Sequence, residues 1–394
     1  MTGTDRIEVP ITRPDFGAAE SEGVARVVRS GWLLQGKEVA GFEGELAAAV
    51  GAAHAIAVCN GTAALELALR ALGIKAGDEV ITVSHSFIAS AACVVAVGAT
   101  PAFADVEADT LSIDPESARR LLSPRTRALI AVHQVGFPCT LGPLLDLTRA
   151  AGIPLIEDAA CALGSEIRVA EQWQRIGKPH GAVACFSFHP RKVITVGEGG
   201  AITTNDAALA HRLRLLRQHG LEKPAALDRP IGTPDGFALL GTNARMTDLA
   251  AVIGRPQLAR LSSIITERRR IGDGYCAALA AHPVLTPPQE RIDSRSNWQS
   301  FPTFLRPDTP WTAAGVLRFL ADRGISGRGG LTNAHEEPAF ADPQSHRRGP
   351  LPVSEALRGR TVFLPLFHGM RPEEENAVLA ALDALGRQPP VGCP

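Results

Sequence analysis

Lysine is scarce in this 394-residue chain: of 40 basic residues only five are lysines, Lys37, Lys75, Lys178, Lys192 and Lys223. Any lysine in an unusual setting therefore stands out. Charge of one sign is lacking as well. The 40 basic residues meet 41 acidic ones for a net charge of -1. No basic excess is available for phosphate backbones, so nucleic acid is not an expected partner. No apolar run approaches the roughly 18 residues of a membrane-crossing helix, and no membrane is expected either. The first residues, MTGTDRIEVPITRPDF, are polar and mixed in charge, unlike a secretory signal. The seven cysteines, at 59, 93, 139, 161, 185, 276 and 393, are odd in number, widely spaced and form no CxxC pair. That pattern argues against a disulfide framework or a metal site and fits reduced thiols. The expectation is a cytoplasmic protein without repeats or low-complexity tracts.

What is present is a long alternation of two periods. Hydrophobic residues make up 45% of the chain and charged ones 21%, enough to bury a sizeable core. Seven β-rich runs recur: HAIAV (54–58), EVITV (79–83), PAFAD (101–105), ALIAV (128–132), PLIED (154–158), VACFSF (183–188) and GAITT (200–204). Stretches of helical patterning lie between most of them, at 61–73, 86–98, 114–122 and 141–152. Such alternation predicts an α/β domain whose mostly parallel sheet is covered on both faces. Gly73, Gly98 and Gly152 stand where left-handed helix ends are wanted, and Asp114-Pro115 reads as a helix start.

After residue 205 the pattern changes. A helix over 206–220 leads into a Gly/Pro-rich loop, and a second helical stretch, 247–279, carries Pro256 as an expected kink or break. Beyond about 280 the runs SFPTFLR, TAAGVLRFLADRG and EEENAVLAALDALG predict a strand, a helix and a terminal helix, with a loop-rich stretch over 326–352. The expected division is a large α/β domain over 1–265 and a small C-terminal α+β domain over 266–394.

In open α/β sheets ligands bind beyond the carboxyl ends of the strands. Here PLIED ends at Asp158, and VACFSF runs through Ser187 into His189-Pro190-Arg191-Lys192. HAIAV leads into a helix start at Gly61-Thr62-Ala63, and EVITV is followed by Ser84-His85-Ser86-Phe87. A glycine-led helix start with free N–H groups can hold a phosphate, helped by a serine hydroxyl. A buried aspartate can hold a protonated pyridine nitrogen, an aromatic ring can stack on a flat heterocycle, and a lysine can join an aldehyde as an imine. Together these describe pyridoxal 5′-phosphate. Each feature alone has a plain structural reading: a turn, a cap, a core phenylalanine, a snorkelling lysine. Lys192 differs from the other lysines because an apolar strand precedes it and the glycine-rich VGEGG follows.

The run FSFHPRKVITVGEGGAITTND (186–206) resembles the cofactor-lysine segment of the DegT-type (DegT/StrS-like) sugar aminotransferases, which are fold-type I pyridoxal phosphate enzymes. SGWLLQGKEVAGFEGELA (30–47), CNGTAALELAL, GDEVITVSHSFIAS, VHQVGFP, IEDAACALGSE, GTNARMTDLAAVIGRPQL and LPVSEALRGRTVFLPLFHGM follow that family's order and spacing. The resemblance implies an aspartate-aminotransferase-like large domain with a mixed, mostly parallel seven-stranded sheet. It implies that Lys192 binds the cofactor and then moves the substrate proton, and that Asp158 pairs with the ring nitrogen. Phe87 would stack on the ring, while Ser187 and the backbone of Gly61, Thr62 and Ala63 would hold the phosphate. Asn243 would reach toward the phosphate of the other subunit, making a homodimer with shared active sites. The implied reaction moves an amino group from L-glutamate to a keto-sugar, most readily a nucleotide-linked keto-deoxysugar in amino-sugar biosynthesis. A keto-cyclitol acceptor and a pyridoxal phosphate-dependent sugar dehydratase are the alternatives. Lysine at 192 favours transamination, since relatives that remove a hydroxyl place histidine there.

Two positions depart from the family pattern. Cys161 stands where a glutamine often contacts the cofactor's phenolic oxygen, and a thiol is the poorer hydrogen-bond partner. Gly181-Ala182 replaces a frequent Gly-Asp pair, with a modest structural effect expected. Trp32, His133, His335 and His368 are candidate substrate contacts, each with a structural alternative: dimer packing for Trp32, a strand-end hydrogen bond for His133, loop structure for the other two. Gln134 is expected beside His133 at the cleft. Arg268-Arg269-Arg270 reads as a solvated helix face.

Overall fold

Local chemistry sets the helix boundaries. In the computed structural model, which describes residues 7–222 and 236–389, side-chain oxygens of Asn60, Asp114, Asp206 and Thr247 accept backbone N–H groups at four helix starts. Each such cap is worth about 1 kcal/mol. Gly152, at φ 64°, takes the left-handed conformation that ends its helix.

The large domain contains β1 (His54–Val58), β2 (Glu79–Val83), β3 (Thr100–Ala104), β4 (Thr126–Val132), β5 (Leu155–Asp158), β6 (Val183–Ser187) and β7 (Gly200–Thr204). Its helices are α1 (Ala18–Ser30), α2 (Lys37–Val50), α3 (Gly61–Ala71), α4 (Ala89–Ala96), α5 (Pro115–Arg120), α6 (Leu141–Ala151), α7 (Ala207–Arg217) and α8 (Asp248–Ala259). A long helix, α9 (Leu261–Leu279), follows. The C-terminal part adds β8 (Leu285–Thr286), β9 (Phe301–Leu305), α10 (Ala313–Ala321), β10 (Arg328–Gly329), β11 (Arg347–Arg348), α11 (Pro352–Leu357), β12 (Thr361–Leu364) and α12 (Pro372–Arg387).

The main sheet has eight strands in the order β1-β7-β6-β5-β4-β2-β3-β11. The seven expected strands are joined by β11, which pairs in parallel with β3. This eighth strand comes from the stretch read as loop: Arg347 forms an ion pair with buried Glu79, and Asp105 accepts from the backbone and hydroxyl of Ser354 at 2.8 and 2.6 Å. Two residues are too few to show a period of two. Strand β7 alone runs against its neighbours β1 and β6. Central strands β2, β5 and most of β4 are buried throughout, as a sheet covered on both faces requires.

Helix α8 continues through Pro256 and ends only at Ala259, with Arg260 separating it from α9. Gln257 spans this turn, donating from Nε2 to Ile253 O at 2.8 Å. Helix α9 serves two cores. Leu261, Ile264 and Ile265 belong to the core of the large sheet. Ile271, Tyr275 and Leu279 belong to a second core with Trp298, Phe301, Phe363 and the N-terminal Val9. The division expected at 265/266 therefore falls inside a continuous helix. Lys223 and most of the Gly/Pro-rich loop, like Cys393, lie outside the described residues.

Candidate active site

Strand β5 carries two neighbouring carboxylates, and alternation along a strand sends them to opposite sides. Asp158 faces a cavity at the carboxyl ends of the strands. It is 4% exposed, and its Oδ2 accepts from Ser90 Oγ at 2.8 Å while Oδ1 accepts from Ala160 N–H at 3.2 Å. Glu157 turns the other way. It accepts from His133 Nε2 at 3.2 Å, His180 Nδ1 at 3.3 Å, and the N–H groups of His180 and Gly181 at 2.7 and 3.0 Å. Burial alone would raise the Glu157 pKa, but the hydrogen bonds from His133 and His180 outweigh it and hold the carboxyl below its usual range.

After β6 the chain turns sharply, with Lys192 N–H donating to His189 O at 2.8 Å. The Lys192 Nζ then lies 3.1 Å from Cys161 Sγ, which is its hydrogen-bond partner. Gln257 fixes the returning loop: its Oε1 accepts from Thr195 N–H at 2.9 Å and its Nε2 donates to Thr195 O at 2.7 Å.

At the start of α3, Asn60 Oδ1 accepts from Ala63 N–H at 2.8 Å. That N–H, expected on a phosphate, is already used. Gly61 and Thr62 sit two positions and one position earlier, where helix N–H groups have no intrahelical partner and the dipole is positive. A Cβ on Gly61 would come within 2.8 Å of Ser187 Cβ, so only glycine lets Ser187 pack against this helix start. Phe87, 64% exposed, also lines the cavity, one turn before Ser90.

These side chains share a cavity of about 430 Å³. The sheet side contributes Gly61, Thr62, Phe87, Asp158, Cys161, Ser187 and Lys192; the facing side contributes Gln299, Arg328 and Phe363, with Ile11 and Thr12 from the N-terminal segment. Free N–H groups and a hydroxyl suit a phosphate, the buried carboxylate suits a ring nitrogen, the exposed aromatic face suits a flat ring, and the lysine suits an aldehyde. The donor set fits pyridoxal 5′-phosphate.

Other expected contacts lie elsewhere. His133 is fully buried on the back of β5, accepting Cys139 N–H on Nδ1 at 3.1 Å, because the chain past Val132 turns it toward Glu157. Its neighbour Gln134 lines the cavity instead. His335 is held by Ser84 Oγ, 2.6 Å from Nδ1, and does not line the cavity. His368 is buried without a hydrogen-bond partner among the described residues; burial and nearby Arg268 lower its pKa to about 4. Trp32, 58% exposed, and the exposed Asn243 also stand outside the cavity of their own chain. Arg268 corrects the reading of a solvated helix face. It is buried and donates to the carbonyls of Trp298, Gln299 and Leu366, and burial lowers its pKa to about 9. Arg269 and Arg270 pair with Glu166 and Glu375.

Sequence reasoning did not single out Ser90, Gln257, Gln299 or Arg328. Only Ser90 had a local signal, standing three residues after Phe87 and hence on the same side of one helical turn.

Among the described residues no cluster suits a metal ion, and no helix is long and apolar enough to cross a membrane. Fold and site together define a pyridoxal 5′-phosphate-dependent aminotransferase. The sequence profile of the DegT/DnrJ/EryC1/StrS aminotransferase family matches residues 14–383, and the chain belongs to that family. It is 34% identical over 383 residues to the spore coat polysaccharide biosynthesis protein SpsC of Bacillus subtilis (strain 168), covering 95% of this chain and 96% of that protein. The structure of S. venezuelae DesV in complex with a ketimine intermediate matches with TM-score 0.85 and 34% identity, over 97% of this chain and 99% of that one. An aminotransferase from Psychrobacter cryohalolentis matches with TM-score 0.90 and 31% identity, over 96% and 98% of the two chains.

Proposed function

We propose that the protein transfers an amino group from L-glutamate to a keto-sugar, most readily a nucleotide-linked keto-deoxysugar, in amino-sugar biosynthesis. The observation that carries the reading is Lys192, which lines the same cavity as Asp158 and Cys161, with its Nζ bonded only to a thiol among the described residues. Similarity to a polysaccharide biosynthesis protein supports a sugar acceptor. When bound, pyridoxal 5′-phosphate supplies an electron-accepting ring and carries the amino group between the two half-reactions. Lys192 Nζ takes the proton from the substrate carbon and returns one at the far end of the transfer. Asp158, anchored by Ser90, keeps a proton on the ring nitrogen. Gly61, Thr62 and Ser187 hold the phosphate, and Phe87 covers one face of the ring. Cys161 stands where a glutamine would meet the cofactor's phenolic oxygen, and its thiol is the poorer hydrogen-bond partner there.

The active form we infer is a homodimer. Trp32, Leu33, Leu34, Phe237 and Leu240 are exposed apolar residues, Leu240 to 96%, three positions from the exposed Asn243. A partner covering them would bring Asn243 toward the neighbouring phosphate site. The visible spectrum of the loaded protein, before and after L-glutamate, tests the transfer. A shift from the aldehyde to the amine form of the cofactor in wild type, absent in Lys192→Ala, is expected. A wild-type spectrum that ignores glutamate, with another amine causing the shift, would remove glutamate as donor.

A further inference from the structure

Phe87 is an exposed ring whose place is set by its flanks. The ladder of β2 ends at Val83, so the sheet no longer holds the chain at Ser84 and His85. There a segment 248 to 251 positions later takes over. Ser84 Oγ lies 2.6 Å from His335 Nδ1 and accepts from His335 N–H at 3.2 Å, while Ser84 O accepts from Ala334 N–H at 2.8 Å. His85 and Asn333 form an antiparallel bridge, and His85 Nδ1 lies 2.8 Å from Asn333 Oδ1. From the cavity side Gln134 Nε2 donates to His85 O at 2.7 Å, and its Oε1 accepts from Ser86 Oγ at 3.3 Å. Just after Phe87, Ile88 and Ala91 pack in a small core with Phe103, Ala334, Phe340 and Leu351.

The segment is itself anchored on the sheet. Asn333 Nδ2 donates to Ser354 O at 3.0 Å and to Glu336 Oε2 at 2.9 Å, and Ser354 is held by Asp105 just past β3. With both amide hydrogens of Asn333 used, its Oδ1 faces His85 and fixes the imidazole proton on Nδ1. Burial lowers the His85 pKa and favours the neutral ring. Its Nε2 is left buried without a partner among the described residues, which costs stability. An apolar side chain at 85 would avoid that cost but could not bond Asn333. Asn333 is 1% exposed and, like His335, does not line the cavity.

We infer that Asn333, with His335 beside it, is a positioning residue for the cofactor ring, acting through Phe87 by latching the Ser84–His85 turn to the C-terminal part. An exposed aromatic side chain meets a flat heterocycle in one geometry only while its backbone is fixed, because stacked rings lose their attraction when they slip or tilt. The same turn carries Ser90, which donates to Asp158, so the latch also steadies the carboxylate at the ring nitrogen.

This inference rests on the ring role given to Phe87 in the proposed function, and a double-mutant cycle separates the two. Pyridoxamine 5′-phosphate, the amine form of the cofactor, cannot join Lys192 as an imine, so its dissociation constant reports ring and phosphate contacts alone. It is titrated calorimetrically into the full-length chain stripped of cofactor, as wild type, Phe87→Ala, Asn333→Ala, His335→Ala and His335→Asn, and with Phe87→Ala combined with each alanine change. Phe87→Ala is expected to weaken binding about 10-fold, Asn333→Ala about 5-fold and His335→Ala about 3-fold. His335→Asn restores most of its loss, because an amide oxygen can accept from Ser84 in place of Nδ1. In the Phe87→Ala background each second change moves binding by less than about 1.5-fold. Thermal melting reports that each variant is folded; should Asn333→Ala not fold, the His335 variants carry the test. Losses that persist undiminished without Phe87 overturn the inference. A loss in Phe87→Ala alone overturns it too, and leaves the ring role of Phe87 standing. Unchanged binding in Phe87→Ala removes that ring role, and the inference with it.

Discussion

Glu157 and Asp158 are adjacent on one strand, yet the regions they serve are built on opposite plans. Behind β5, Glu157 accepts four hydrogen bonds from His133, His180 and Gly181 and is fully buried. In front, Asp158 has two donors and Lys192 has one soft acceptor. Half-buried Arg328, on the facing side, has no acceptor among the described residues. A buried charge whose needs are met inside the chain holds the fold; one left short faces something the chain does not supply. The difference separates stability from chemistry at neighbouring positions, and substitutions can take it apart.

The largest effect should come from the front. Lys192→Ala removes the base at the reacting carbon, and transfer should fall by about 10⁴-fold or more, while the melting temperature moves by about 2 °C or less because a half-buried chain with one thiol contact is lost. Rapid mixing with glutamate and calorimetric melting measure the two. A stability loss as large as that of a core mutation would mean that the front region is structural after all.

Asp158→Ala should slow transfer by about 10²- to 10³-fold, with Asp158→Asn intermediate, since an amide cannot hold a proton on the ring nitrogen. Behind the strand, Glu157→Ala should reverse the pattern. It leaves His133, His180 and two backbone N–H groups unpaired, and the expected cost is about 3 kcal/mol of stability. Denaturant unfolding followed beside activity per folded molecule checks this; activity should stay within about threefold of wild type, provided Asp158 keeps its place. Activity lost without stability would join the two regions into one.

How far each region could be read from the amino acids follows from the range of its interactions. The cavity's sheet side is local. Strand ends place Asp158 and Ser187, a cap residue marks the start of α3, and lysine scarcity isolates Lys192. The back region and the facing side depend on distant partners. Arg268 meets carbonyls 30 to 98 residues away, which no helical pattern around ERRR encodes. His133 stands at a strand end as expected, but the turn after it, with Val135 at φ 51°, decides which side it serves. Arg328 sits in a Gly-rich stretch whose two-residue strand shows no period. The aligned motifs supplied the fold and the cofactor, while the substrate side was left to assembly.

The smallest expected effect sharpens the same contrast away from the cavity. Glu374, wholly buried near the start of α12, accepts from Arg13 at 2.9 Å and from Arg371 N–H at 2.9 Å. The hydrogen bond from Arg13, with help from Arg371, lowers its pKa to about 2 against burial, from an ordinary 4.5. A carboxyl with a depressed folded-state pKa contributes stability that is fully present above 4.5 and is lost as pH falls from there toward 2. Glu374→Gln should therefore cost about 1 kcal/mol at pH 7 and flatten the acid limb of unfolding between those values, with transfer unchanged. Equal acid sensitivity in wild type and variant would place the acid-labile charge elsewhere, with Glu157 the next candidate, because its carboxyl is lowered in the same direction by partners that also lie within the chain.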